Sequence, residues 1–172
     1  GFSGSDWVGM KHFLRFFKYP LFWKMIKNTL SITLYSLATF PCAIVFALLL
    51  NEVKQARIKK GIQMVTYMPH FLSEVVVCSI VILFLDRTAG PINILVEALG
   101  GERTNLMGQP KAFSSIYVLS GLWQNLGWNT IIYIAAMTSI DPSLYEAAAI
   151  DGAGHWKQMI HVTLPSITPI II

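Results

Sequence analysis

Residues 112–140 run for 29 positions without an Asp, Glu, Lys or Arg, and residues 28–50 do the same for 23. A third apolar run, 62–85, carries a single carboxylate, Glu74. A helix rises about 1.5 Å per residue, so 23 residues reach about 35 Å, enough to cross a hydrocarbon core of about 30 Å. A water-soluble fold has few ways to hide three such runs. Only 13% of the 172 residues are charged, against about 25% in an ordinary soluble domain, and mean hydropathy is +0.56. The expected fold class is therefore all-α, a polytopic helical membrane protein whose outer surface faces lipid. Spans are expected at 28–50, 62–85 and 112–140, and residues 166–172 open a fourth apolar run.

The formal net charge is +4. Loops of membrane proteins are often rich in Lys and Arg, so this balance needs no nucleic acid to explain it. The 13 basic residues are spread over four polar segments, with no basic stripe expected on a helix and no interleaving of aromatic and basic residues; no nucleic-acid partner is expected. Cys42 and Cys78 both lie in apolar runs and are expected to act as small hydrophobes. Neither belongs to a metal-ligand pattern, and His155 and His161, six positions apart, are poorly spaced to share a metal on a helix. Residues 1–27 mix Lys11, Arg15, Lys18, Lys24 and Lys27 with Trp7, Phe13, Phe16, Phe17, Phe22 and Trp23. That mixture suits the lipid headgroup zone, where rings sit at the interface and long cations reach water, and it also suits a short surface helix of a soluble loop.

Between the second and third runs, Ile92, Leu95, Val96 and Leu99 recur at helical spacing and predict a short interfacial helix ended by Gly100-Gly101. Two features inside the runs are too polar for lipid. Glu74 either lines a path or makes an inter-subunit contact, or marks a helix that starts late and leaves the carboxylate at its wet end. The centre of 112–140 gathers Trp123, Gln124, Asn125, Gly127, Trp128 and Asn129, with Tyr133 one turn on. Amides in hydrocarbon need partners, so this patch either joins helices or faces a watery route. Aromatic faces beside amides also suit a sugar, whose ring stacks while its hydroxyls hydrogen-bond. The candidate substrate route is thus Trp123, Gln124, Asn125, Trp128, Asn129, Tyr133 and Glu74.

Residues 141–165 read DPSLYEAAAIDGAGHWKQMIHVTLP. Asp141 is placed to cap a helix whose first residue is Pro142. Leu144 to Ile150 follow as about two alanine-rich turns, and Gly152 supplies the left-handed break. A second helix from Gly154 is expected to align Trp156, Met159, Ile160 and Thr163 on one side. The product is a helix–turn–helix between apolar runs, with small alanines that let another protein approach its backbone closely. This segment resembles the EAA loop of binding-protein-dependent ABC importer permeases. Glu146, Ala147, Ala148, Gly152, Val162, Leu164 and Pro165 carry the match, with Asp151 and Ala153 completing Asp-Gly-Ala. Met159 departs from it, since carbohydrate-type permeases often carry Phe there. Asn28-Thr29-Leu30, Pro69-His70-Phe71-Leu72-Ser73, Gly90 with Asn93, and Gly127-Trp128 with Tyr133 are similar to the oligosaccharide branch that includes polysaccharide and uronate permeases.

The resemblance implies a type I ABC importer permease fold of about six spans, with three complete ones here, the start of a fourth, and a span missing at either end. It implies a second permease subunit, a cytoplasmic ABC ATPase dimer, an extracytoplasmic sugar-binding protein and a bacterial cytoplasmic membrane around the chain. ATP and magnesium are expected on the ATPase, with no cofactor on this chain. Residues 141–165 become a cytoplasmic coupling loop. In it Glu146 meets a basic ATPase residue, Ala147 and Ala148 pack closely, Asp151 braces the turn, and Gly152, Ala153, Leu164 and Pro165 complete the shape. The coupling loop is shared by amino-acid and phosphate permeases too, so it does not name the solute. The sequence has no Walker-type phosphate loop and no zinc-protease or hydrolase motif, so no enzyme is expected. Internal repeats and several intramembrane carboxylates, the marks of a secondary transporter, are also missing. Charge counting taken alone favours the opposite orientation: five basic residues in 1–27 and three in 86–111 would lie outside, against four in 51–61 and one in the coupling loop inside.

Overall fold

The computed structural model describes Gly4 and residues 9–172; Trp7 lies outside the described residues. Every regular element among the described residues is helical. In order come α1 (Lys11–Phe17), α2 (Phe22–Thr39), α3 (Pro41–Asn51), α4 (Ala56–Tyr67), a 3-10 turn (Met68–Phe71), α5 (Glu74–Leu85), α6 (Pro91–Ala98), a second 3-10 turn (Leu106–Gly108), α7 (Phe113–Thr138), α8 (Pro142–Ile150), α9 (His155–Gln158), a π-turn (Met159–Thr163) and α10 (Leu164–Ile171).

The first apolar run is longer than the sequence suggests. Phe40 keeps helical angles (φ −52°, ψ −45°), so α2 and α3 form one 30-residue rod from Phe22 to Asn51. Pro41 cannot donate to the carbonyl four residues back, at Leu37. The Phe40 amide closes onto that carbonyl instead, at 3.2 Å, which is how a proline survives inside a membrane helix. Lys24 and Lys27 therefore belong to the first turns of the rod rather than to a preceding loop.

The second run is not one straight rod. Pro69 closes the 3-10 turn, and Leu72 and Ser73 turn extended (ψ 139° and 150°). Ser73 Oγ then accepts the Val76 amide and caps a new helix beginning at Glu74. The two halves meet at 106°. Glu74 is the first residue of that new helix, where a carboxylate is favoured by the exposed amides. By length and apolar composition, Phe22–Asn51 can cross a membrane, and so can the bent pair if it counts as one span. α7 has 26 residues, about 39 Å, with its amide-rich centre making it the more polar rod.

The core lies where α3, α7, the π-turn and α10 meet. Ala43, Ile44, Ala47 and Leu48 face Tyr133, Ala136 and Met137, with Met159 and Ile167 closing the cluster. Ala47 and Ile167 are completely buried. The alanines let the backbones approach closely, which matters more than apolar burial where the surroundings are lipid. Elsewhere large apolar side chains point outward, among them Leu37, Val75 and Leu83.

Two finer expectations change and a third, the uncovered stripe of α6, stands. Met159 and Thr163 turn inward, whereas Trp156 and Ile160 are exposed: the π-turn before Pro165 widens the helix by one residue and splits the expected stripe. The stripe of α6 stays uncovered by protein, with Ile92, Leu95 and Leu99 exposed. The buried residue of that helix is Asn93, whose Nδ2 donates to the carbonyls of Leu85 (3.1 Å) and Asp86 (3.0 Å). Finally, α1 does carry a short basic stripe, described below.

Candidate functional site

Two polar places stand out, one among the long helices and one beyond them. The first is a cleft of about 710 Å³ between α2–α3, α5 and α7. Glu74, Gln124, Asn125, Asn129 and Tyr133, all singled out from sequence, line it together. Hydroxyls that sequence reasoning missed, those of Ser36, Thr39, Tyr117 and Ser120, complete its polar side. Their signal was present as hydroxyl residues three apart on α2 (Ser36, Thr39) and three apart on α7 (Tyr117, Ser120). Isolated Ser and Thr in an apolar run usually bond their own helix, and Thr39 and Ser120 do so (2.9 and 3.1 Å).

Trp123 and Trp128 do not line the cleft. Trp128 lies flat against His70, with ring centroids 4.3 Å apart and planes 7° from parallel, and Phe71 meets it edge-on at 5.7 Å. The amides join helices and line the cleft as well. Asn125 lines the cleft, yet its Oδ1 sits 3.0 Å from His70 Nδ1 while its Nδ2 donates to the Gly121 carbonyl at 3.0 Å. With the amide fixed in that sense, Nδ1 of His70 is the ring nitrogen that carries hydrogen. Gln124 Nε2 donates to the Leu72 carbonyl at 3.3 Å. The break between α4 and α5 is thereby pinned to α7. Gly127 lets the two come together, since a Cβ there would strike the Thr66 carbonyl oxygen. Asn129, Glu74 and the hydroxyls of Tyr133, Tyr117 and Ser36 make no side-chain hydrogen bond or ion pair among the described residues, so they keep bonding capacity toward the cleft.

The second place is the knob formed by α8 and the turn after it. Asp141 Oδ1 accepts the Ser143 amide at 2.9 Å, and Pro142 occupies the first helical position. That amide, followed by the Ser143 hydroxyl, holds the Asp141 carboxyl below the usual carboxylate range. At the other end Gly152 is left-handed (φ +76°). Its amide bonds the Ala149 carbonyl at 3.0 Å, and the Ala153 amide bonds Ala148 at 2.9 Å, the pair of bonds that closes a Schellman cap. Both ends of α8 are therefore fixed by their own chain. Tyr145 reaches Thr163 at 2.9 Å and Gln158 bonds the Ala153 carbonyl at 2.9 Å, tying the knob to the π-turn. Its outer face carries Glu146, Ala147 and Asp151 in the open, with Ile150 at 87% exposure. Ala148 and Ala153 line a shallow groove with Lys157, Gln158, His161 and Val162. His155 Nδ1 lies 3.9 Å from Glu52, so the knob and the link after α3 share one end of the molecule.

Residues 26–172 match the family described as binding-protein-dependent transport system inner membrane component. The chain belongs to this family. A polygalacturonan/rhamnogalacturonan transport system permease protein of Bacillus subtilis (strain 168), YteP, is 47% identical over 173 aligned positions, covering 100% of this chain and 54% of that protein. A crystal structure of a bacterial ABC transporter involved in import of the acidic polysaccharide alginate superposes with a TM-score of 0.92 at 39% identity, covering 98% of this chain and 59% of its counterpart. The same kind of transporter in complex with an alginate pentasaccharide-bound periplasmic protein gives 0.90, again at 39% identity, over 95% and 57%. The chain spans about half the length of the curated relatives it matches. Its all-helical fold is thus that of part of an ABC importer permease, an inner-membrane component.

Proposed function

We propose that this chain is part of a multi-pass permease subunit of an ATP-driven importer that moves a sugar, an oligosaccharide, by alternating access. The observation that carries the reading is the doubly capped α8, a knob fixed at both ends by its own backbone and left open on its outer face. A rigid projection is what a separate ATPase needs to grip. In this reading Glu146 pairs with a basic ATPase residue, Ala147 and Ala148 allow close approach, and Asp151 to Ala153 with Leu164 and Pro165 hold the shape. ATP and magnesium are handled by that ATPase, so this chain hydrolyses nothing. A second permease subunit completes the path and an extracytoplasmic binding protein delivers the solute.

The saccharide assignment is supported by the relatives named for polygalacturonan, rhamnogalacturonan and alginate, and by a cleft of hydroxyls and amides suited to sugar hydroxyls. Glu74, Gln124, Asn125, Asn129 and Tyr133 form the substrate wall; Trp128 acts behind it, holding His70.

The test is uptake by cells carrying the full-length subunit, with its membrane abundance measured alongside. A Cβ at Gly152 meets open space, so only the left-handed backbone objects, at roughly 1–2 kcal/mol for an ordinary residue and less for Asn. Uptake is expected to fall in the order Gly152, Gly152→Asn, Gly152→Val, with abundance and binding-protein affinity held. Equal uptake in all three at equal abundance would make the loop a mere connector.

A further inference from the structure

α1 buries no residue, yet its composition is sorted. At about 100° per residue, Lys11, Arg15 and Lys18 fall within an arc of about 60°. Phe13, Phe16 and Phe17 centre on the opposite side, and all six are exposed. From residue 9 to residue 51 the chain has no carboxylate, and among the described residues none of the three cations has an ion-pair partner. The helix is fastened where the long rod begins. Phe16 and Phe17 meet Phe22 edge-on at 5.1 and 5.2 Å, Phe22 is buried, and Trp23 packs against it at 5.3 Å. The Tyr19 amide bonds Phe16 and the Phe22 amide bonds Tyr19, so the turn at Pro20 is short and braced.

This arrangement fixes depth. Phe22 is the first residue of the Phe22–Asn51 rod, and Lys24 and Lys27 in the rod's first turns hold that end at headgroup level, so α1 lies at the membrane–water interface. A helix with cations on one face and large apolar side chains on the other rests in that plane. Whatever binds it must offer an anion and hydrocarbon on opposite sides of one helix. An acidic protein surface or a uronate chain offers the anion alone, whereas a phospholipid layer offers both. We propose that Lys11, Arg15 and Lys18 form a binding site for the phosphodiester headgroups of anionic phospholipid, with Phe13, Phe16 and Phe17 inserted beside the acyl chains. The site depends on the chain being embedded in a bilayer and not on the solute it carries.

The experiment uses the full-length importer, purified in detergent and offered equal amounts of phosphatidylglycerol and phosphatidylcholine, with retained lipid counted by native mass spectrometry. Each interfacial cation favours an anionic surface by about fivefold at moderate salt. The wild type should retain phosphatidylglycerol at least about tenfold over phosphatidylcholine, and K11Q/R15Q/K18Q should fall to near parity. K11R/K18R, which keeps the charge, should behave as wild type. Raising salt from about 0.1 M to about 1 M shortens screening from about 10 Å to about 3 Å and should also erase the preference. A preference unchanged in the triple variant overturns the proposal. So does displacement of the lipid by galacturonate oligomers, which makes the face a saccharide surface, or by inorganic phosphate, which makes it a soluble-anion site. Because lipid retention is read without transport, failure of the uptake test leaves this one standing, and the reverse.

Discussion

Two glycines on α7, six residues apart, should respond to the same substitution with opposite signs. At Gly127 a Cβ would land on the Thr66 carbonyl group, 2.5 Å from its carbon, and 2.9 Å from Tyr67 Cδ1. The obstacle is backbone, which cannot swing away as a side chain does. Overpacking costs about 1–3 kcal/mol, and a backbone collision belongs at the upper end. At Gly121 a Cβ meets nothing within 4 Å, so alanine there only gains helix propensity, up to about 1 kcal/mol. The two variants should differ by about 3–4 kcal/mol in the docking of α4 against α7. Purified full-length importer is heated in detergent, and the temperature at which half remains monodisperse is recorded. A multi-subunit assembly does not unfold in two states, so the order of the midpoints is the readout. Gly121→Ala should equal or exceed wild type and Gly127→Ala should fall several degrees below. A Gly127→Ala midpoint at or above that of Gly121→Ala would refute the close crossing of α4 and α7.

Two further outcomes follow from the same geometry. His70→Ala removes the stack on Trp128, about 0.5–1.5 kcal/mol, and leaves Asn125 Oδ1 unpaired, about 1–3 kcal/mol; hydrogen exchange at residues 68–73 should quicken and uptake fall, with His70→Gln recovering part of both by restoring a donor. At Asp141 the carboxyl is held below its usual range by the Ser143 amide and hydroxyl, so its cap is present above the unfolded carboxylate value of about 3.9 and is lost as pH drops through the lower folded value. Asp141→Asn caps without titrating; exchange at α8, corrected for intrinsic rates, should match wild type near neutrality and be slower than wild type at the acid end.

The helical class and the knob could be read from the sequence because both are local. Charge-free length sets the first, and Asp141, Pro142 and Gly152 set the second by backbone rules that need no distant partner. The break at 72–73 was harder. The run 62–85 reads as one span, but a 106° bend needs the amides of Gln124 and Asn125 to receive it, more than fifty residues away. The same distance hid Trp128: its ring suits a sugar in isolation, and only the fold shows one face taken by His70. The basic stripe of α1 was missed because two cations in a seven-residue helix and a third at its C-cap look scattered among the basic residues of the whole segment. The π-turn was missed because its cause, Pro165, follows it in sequence.

The cleft and the knob are built from overlapping parts, and this bears on how one could act on the other. Tyr133 lines the cleft and also belongs to the core formed by α3, α7, the π-turn and α10. Met159 of the π-turn sits in that core, and Thr163, one turn on, holds Tyr145 of the knob. The α3–α7 wall of the cleft is thus continuous in packing with the knob. The facing wall is different: Glu74, Val77 and Cys78 reach the cleft from α5, beyond the extended residues 72 and 73, and α5 contributes nothing to that core. Cores that are close-packed shift as units rather than deform gradually. A pull on α8 would therefore carry Tyr133 and its neighbours with it, while α5 is free to lag at the break. The relative displacement would fall between Glu74 on one wall and Asn129 and Tyr133 on the other. In the proposed importer that is where a solute would be gripped or released, and the pins at Gln124 and His70 would set how much of the motion the break absorbs.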